Sequence, residues 1–79
     1  MAYYEAQLVT RRFPQWMDPA HLAVDVGAGS LLIEAQVGEN WITVEDIIED
    51  TVKQMDVANG KFRFTPADGA VFEFAVGNN

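Results

Sequence analysis

The sequence predicts an all-β protein, a small β-sandwich of about six or seven short antiparallel strands. Two observations support this fold class. Turn-forming residues recur roughly every 8–12 residues, which is the spacing typical of short strands joined by tight turns. Between the turns, apolar and polar residues alternate with a period of two, as in strands with one face on a core. The turn segments are residues 27–30, 38–40, 59–60 and 66–69.

The first two alternating segments are residues 21–26 and 31–37. A four-residue loop over 27–30 would join them in a hairpin that pairs Val26 with Leu31. The apolar residues of both segments would then lie on one face, as the pleat of a sheet requires. This arrangement predicts the first hairpin of the sandwich.

The same loop is similar to the first motif of the S-adenosylmethionine-dependent methyltransferases. In that motif a buried strand and an acidic residue precede three spaced glycines, which let the backbone approach the cofactor. Here Asp25, Gly27 and Gly29 fit the motif, but Leu31 stands where the third glycine would be. We therefore interpret the two glycines as a hairpin turn.

A second hairpin is predicted at Asn59-Gly60, because both residues tolerate the positive φ angles of a type I′ turn. It would pair Val57 with Phe62. A five-residue loop would then bring residues 71–76 alongside. In this register the aromatic residues share a core face, and three charged residues form a ladder on the outer face: Asp56, Arg63 and Glu73.

Residues 43–58 have two interpretations. Their apolar residues recur at helical spacing, which indicates a helix at about 44–57 packed on two hairpins, an α+β fold. However, the segment begins in a β-rich run, and the hairpin at Asn59-Gly60 needs extended chain before it. Two strands, 40–47 and 51–58, satisfy both points. We favour the strands and keep the helix as the alternative.

The N-terminal residues 1–16 are predicted to form an arm or first strand with a contact segment, and residues 17–79 a single β domain. A β-like run over 3–10 leads into arginine and aromatic residues, which are enriched at protein interfaces. An alternative is that Phe13 and Trp16 fold back as a lid over the core. The candidate contact residues are Tyr3, Tyr4, Arg11, Arg12, Phe13 and Trp16.

The charge is negative and unevenly distributed. Twelve acidic and five basic residues give a net charge of −7. This argues against binding to nucleic acid, which depends on clustered Lys and Arg. No Lys or Arg occurs over residues 13–52. This stretch is either a solvated surface or a surface that docks on a basic partner. The candidate acidic contacts are Glu45, Asp46, Glu49 and Asp50.

The residues do not form a catalytic or metal-binding pattern. Cysteine is absent and His21 is the single histidine, whereas zinc sites need three or four ligands. The carboxylates near residue 45 lack the spacing of a calcium-binding loop. We therefore expect a non-enzymatic protein without a cofactor. Because no apolar run reaches the length of a membrane span, we also expect no membrane association.

Three segments of the second half share the pattern of a known family. They are Trp41-Ile42-Thr43-Val44, Asn59-Gly60-Lys61-Phe62-Arg63-Phe64-Thr65-Pro66 and Gly69-Ala70-Val71-Phe72. In this pattern the chain resembles the small all-β virion proteins of tailed bacteriophages, of the decoration or cement type. The resemblance implies a jelly-roll-like sandwich in the virion that binds the major capsid protein, as a homo-oligomer or within a lattice.

These observations lead to three functional hypotheses. The first is a structural virion protein that cements neighbouring capsid subunits. The second is a small acidic inhibitor of the phage type, for counter-defence or as a nucleic-acid mimic, which binds a basic protein groove in the host cytoplasm. The third is a carbohydrate-binding tail module in which Trp41 stacks on a sugar ring.

Overall fold

The computed structural model describes residues 2–76 and shows eight strands without a helix in that range. The strands form two antiparallel four-stranded sheets. The first sheet has the order β1-β8-β3-β6, and the second sheet has the order β2-β7-β4-β5. The strands are β1 (Ala2–Tyr4), β2 (Leu8–Val9), β3 (Ala20–Asp25), β4 (Ser30–Val37), β5 (Asn40–Ile47), β6 (Thr51–Met55), β7 (Phe62–Ala67) and β8 (Val71–Ala75).

The predicted all-β class is confirmed, and the alternative helix at 44–57 is wrong because that stretch forms β5, a turn and β6. Eight strands replace the predicted six or seven. The difference arises at the N-terminus, where the single predicted run over 3–10 is two short strands. β1 pairs with β8 in the first sheet, and β2 pairs with β7 in the second.

The predicted alternation of faces is confirmed, but the predicted hairpin partners are wrong. The turns that follow β3, β6 and β7 each connect one sheet to the other. At the turn before β7, Asn59 has a positive φ of 64°, whereas Gly60 is not among the residues with positive φ. A type I′ hairpin turn requires positive φ at both positions, so this turn carries the chain across the sandwich instead.

The change of partners also removes the predicted charge ladder. Arg63 lies on the second sheet, where its Nε donates to Glu34 Oε1 at 2.8 Å. Glu73 lies on the first sheet, and Asp56 lies in the connection that leads from β6 to β7. The three charged residues are therefore placed on different parts of the sandwich.

Aromatic side chains from both sheets fill the core. Phe64 of the second sheet is completely buried. Its ring centroid lies 5.5 Å from that of Phe72 and 4.8 Å from that of Phe74, both on the first sheet. The alternation that predicted a shared face therefore places these rings opposite each other across the core.

The described part of the N-terminal segment is integrated into the sandwich. Beyond its two strands, it contributes the buried Phe13 to the core. Thr10 is also buried, and its backbone N–H donates to the Phe62 carbonyl. In return the Phe62 N–H donates to Thr10 Oγ1 at 3.0 Å. These contacts attach residues 2–13 to the same core that the later strands enclose.

Candidate protein-binding surfaces

The turns of the sandwich collect at two opposite ends. Asp25 of β3 pairs with Val71 of β8, and Leu31 of β4 pairs with Ile47 of β5. These pairings place four connections at one end, which we call the acidic end: residues 5–7, 26–29, 48–50 and 68–70. A close approach holds two of them together, because a Cβ added at Gly29 would lie 1.8 Å from the Ala67 carbonyl oxygen.

The acidic end contains carboxylates and no basic residue among the residues that the structure describes. An apolar tip accompanies the charge, since Ile48 in the β5–β6 turn is 68% exposed. An exposed isoleucine surrounded by carboxylates has the composition of a small apolar contact with a charged rim. The carboxylates in or next to these turns are Glu5, Asp25, Asp46, Glu49, Asp50 and Asp68.

The opposite end, which we call the mixed end, is made of residues 10–19, 38–39 and 56–61. Arg12 is held there by a hydrogen bond from its guanidinium to the Asn59 carbonyl at 2.7 Å. Trp16 is 67% exposed. Three basic and three acidic residues balance each other in charge: Arg11, Arg12, Lys61, Asp18, Glu39 and Asp56.

The two remaining bases lie in the strands, away from the turns of both ends, and each forms an ion pair. Lys53 of β6 pairs with Glu45 of β5 across the open edge of the sandwich, and Arg63 pairs with Glu34 within the second sheet. Because the charges of the mixed end balance in number and these two bases are paired, the net charge of −7 corresponds to the six carboxylates of the acidic end and Glu73. The protein is strongly polarised along its strands.

A groove lies on the outer face of the first sheet, next to the acidic end. It has a volume of about 520 Å³. Tyr3 and Val52 project on opposite sides of it, and Ala23 lies between them on the central strand β3. Three carboxylates also line the groove: Asp25, Asp50 and Glu73. None of the described residues that line it is basic.

The six predicted contact residues fall into two groups. Tyr3, Arg11, Arg12 and Trp16 are exposed, whereas Phe13 is buried in the core and Tyr4 is half-buried. Tyr4 stacks on Phe72 with a centroid separation of 5.2 Å. The lid interpretation therefore fits Phe13, which is buried in the core, and the interface interpretation fits Trp16, which is exposed. The exposed four do not form one patch, because Tyr3 lies on the first sheet and the other three lie at the mixed end.

The four predicted acidic contacts lie close together around the β5–β6 turn, where they line a shallow depression. Two of them have structural partners. Glu45 pairs with Lys53, and Asp50 Oδ1 accepts a hydrogen bond from the Val26 N–H at 3.0 Å. Asp46 and Glu49 are exposed, and they are therefore the members of this group that are available to a partner.

Trp41 lies on the outer face of the second sheet, where one side of its ring is covered. The Arg63 guanidinium lies 4.5 Å from the ring centroid, and the side chain is half-buried. Arg63 is itself held by Glu34. The structure therefore gives Trp41 a cation–π partner within the chain.

Sequence reasoning missed the groove on the first sheet. The alternation placed Ala23 on an outer face, but only the pairing of β3 with both β8 and β6 surrounds it with larger side chains. Glu73 was predicted to belong to a ladder on another surface. No local pattern identified these neighbours, because they come from strands that are far apart in sequence.

Residues 2–76 contain no group of three or more His, Cys, Asp or Glu side chains that could hold a metal ion. Nor does this range contain a helix with the length and apolar character needed to cross a membrane. Comparisons of the chain with models of protein families, with curated proteins and with solved structures find no match.

Proposed function

We propose that this chain is a non-enzymatic structural protein of a phage virion, which cements the capsid by binding neighbouring subunits of the major capsid protein. The strand orders 1-8-3-6 and 2-7-4-5 support the proposal. We infer that they form an eight-stranded jelly roll, the architecture implied by the sequence resemblance. Jelly rolls occur in viral capsid domains among other proteins.

The observation that carries the proposal is the separation of charge between the two ends. A protein that bridges neighbours needs two contact surfaces, and here they differ in chemistry. The acidic end offers exposed carboxylates around Ile48, while the mixed end offers two exposed side chains, Trp16 and Arg11. Charge complementarity orients the acidic end toward a basic contact, and the mixed end offers Trp and Arg, residue types that dominate binding energy at interfaces.

The experiment uses capsids that lack this protein, purified from a phage whose gene for it is deleted. The purified chain is added back, and bound protein is measured by co-sedimentation. One variant, Asp46→Asn with Glu49→Gln, removes two exposed charges at the acidic end. A second, Trp16→Ala, removes the exposed aromatic side chain at the mixed end. Thr43→Ala, at an exposed position within β5 and outside both ends, is the control.

Under the bridging proposal, both the acidic-end variant and Trp16→Ala bind capsids at least about tenfold more weakly, as expected for the loss of interface contacts worth 1.4 kcal/mol. Thr43→Ala binds as the unchanged chain does. Capsid thermal stability, measured by release of packaged DNA on heating, falls in parallel. No binding of the unchanged protein to capsids would refute the proposal.

The same charge separation supports one alternative, a small acidic inhibitor that binds a basic protein groove. An inhibitor of this kind needs the acidic end alone. Loss of binding to a basic enzyme of the host in the acidic-end variant, with full binding by Trp16→Ala and no affinity for capsids, would favour the inhibitor.

A further inference from the structure

We propose that the groove on the outer face of the first sheet binds an arginine side chain from a basic segment of a partner protein. The inference rests on the proposed function, because it identifies a contact through which this chain engages a partner. The argument for the ligand uses the groove geometry and charge described above, and the test needs no capsid.

The pairing of the strands creates the shape of the groove. Tyr3 of β1 lies opposite Glu73 of β8, and Glu73 lies opposite Ala23 of β3. Ala23 in turn lies opposite Val52 of β6. The row across the sheet therefore has a methyl group between larger side chains on both sides. This depression has a volume of about 520 Å³, which is within the range of about 300–1,000 Å³ usual for ligand sites.

The charge of the lining determines what the groove can accept. The lining includes Asp25, Asp50 and Glu73, and none of the described residues that line the groove is basic. Neither Asp25 nor Glu73 has an ion-pair partner within residues 2–76. Asp50 is fixed in place by the Val26 N–H. An anionic ligand would be repelled, whereas a cation would gain from each carboxylate.

The arrangement favours a guanidinium group over a metal ion. The three carboxylates are spread around the groove, and they do not form a metal-binding group within the described chain. A guanidinium is planar and carries five N–H donors, so it can reach carboxylates on different sides. The Tyr3 side chain is 56% exposed on one wall, and an arginine can stack on such a ring through a cation–π interaction.

The exposed apolar side of the groove suits the rest of a peptide. Val52 is 69% exposed on the wall opposite Tyr3, and it can pack against the aliphatic stem of an arginine. Arginine side chains commonly bury this stem on apolar surface while the head group binds charge. Apolar packing and charge thus lie on adjacent parts of one groove.

The test measures binding of a fluorescent six-residue peptide of alternating Arg and Gly by anisotropy. The control peptide carries citrulline, which has nearly the same shape as arginine without its charge. We expect the arginine peptide to bind and the citrulline peptide to bind at least about tenfold more weakly, because charge-assisted hydrogen bonds are lost. Binding should also weaken with added salt, since the groove is solvent-accessible.

Three variants locate the site. Glu73→Gln removes a carboxylate of the groove, Ala23→Leu fills its floor, and Tyr3→Leu removes the ring. Each should weaken peptide binding at least about fivefold, while Glu39→Gln, outside the groove, should change it less than about twofold. Tyr3→Leu keeps the test valid if Ala23→Leu fails to fold, because the Tyr3 side chain is mostly exposed on an edge strand.

Four results would overturn the inference: absence of peptide binding, equal binding of the citrulline peptide, equal weakening by Glu39→Gln and Glu73→Gln, or salt-sensitive self-association lost in Arg11→Gln with Arg12→Gln. The last would assign the groove to a second copy of the chain. Failure of the peptide test together with retained binding to capsids would refute this inference and leave the proposed function standing.

Discussion

Replacing Gly29 with alanine should destabilise the protein severely, because the β3–β4 turn lies directly against the β7–β8 turn. The added Cβ would lie 1.8 Å from the Ala67 carbonyl oxygen and 2.9 Å from the Asp68 carbonyl oxygen. Both are backbone atoms, so no side chain can rotate away. Relief requires the two turns to separate, and overpacking of this kind costs typically about 1–3 kcal/mol. We expect a loss of about 3 kcal/mol.

Gly38→Ala is the matched control. Gly38 has a φ of +63°, and an added Cβ there would meet no atom within 4 Å. This change introduces backbone strain alone, which costs on the order of 1–2 kcal/mol. Urea unfolding followed by tryptophan fluorescence measures both free energies. In a domain of this size a loss of 3 kcal/mol lowers the Tm by about 12–24 °C. A Gly29→Ala variant no less stable than Gly38→Ala would refute the packing of the two turns.

Two further predictions concern the core. Thr10→Val should lower the free energy of unfolding by about 1–3 kcal/mol, because the Phe62 N–H loses its acceptor. Thr10→Ser keeps the hydroxyl and should lower it less. If urea unfolding shows equal losses for the two variants, the hydroxyl does not have this stabilising role. Phe64→Ala should cost about 3–5 kcal/mol, since the ring is completely buried between both sheets. Domains of this size rarely gain more than about 3–5 kcal/mol from their core, so loss of the near-ultraviolet circular dichroism signal is expected, and a retained signal would count against a central position.

The sequence predicted which residues face the core but did not predict their strand partners. Alternation with a period of two reports only that a side chain points to one face. Phe64 and Phe72 satisfy it equally as neighbours in one sheet or as partners across a sandwich. The turns cannot decide either, because a short turn can join strands within a sheet or between sheets. Only the long-range pairing of β8 with β1 and β3 settles the matter.

The candidate surfaces were predictable to different degrees. The acidic turn with Asp46 and Glu49 was visible as a local cluster in a stretch without bases. Its enlargement by Glu5 and Asp68 depends on tertiary structure, because these residues come from opposite ends of the chain. Phe13 shows the converse limit. The sequence around Phe13 has the composition of an interface, whereas the structure places the side chain in the core. The sequence could not distinguish the two positions, because an aromatic residue is suited to both.

The edges of the sandwich are built in ways that discourage pairing with the strands of another molecule. On one side both edge strands are very short, two and three residues in length. On the other side the longer β5 contains an irregularity opposite Ile33 and Glu34, and Glu45 faces Lys53 across the opening. Short strands, bulges and inward-pointing charges all discourage edge-to-edge pairing. This arrangement leaves the ends and the groove as the surfaces we propose for binding.

The most direct test of the proposed role is the copy number of this chain in purified virions of the phage that, under the proposal, encodes it. Quantitative mass spectrometry would compare it with the major capsid protein. A cement protein that joins neighbouring subunits should be present in a fixed ratio to the capsid protein and should remain bound through density-gradient purification. A chain that is abundant in infected cells and absent from the particles would contradict the account.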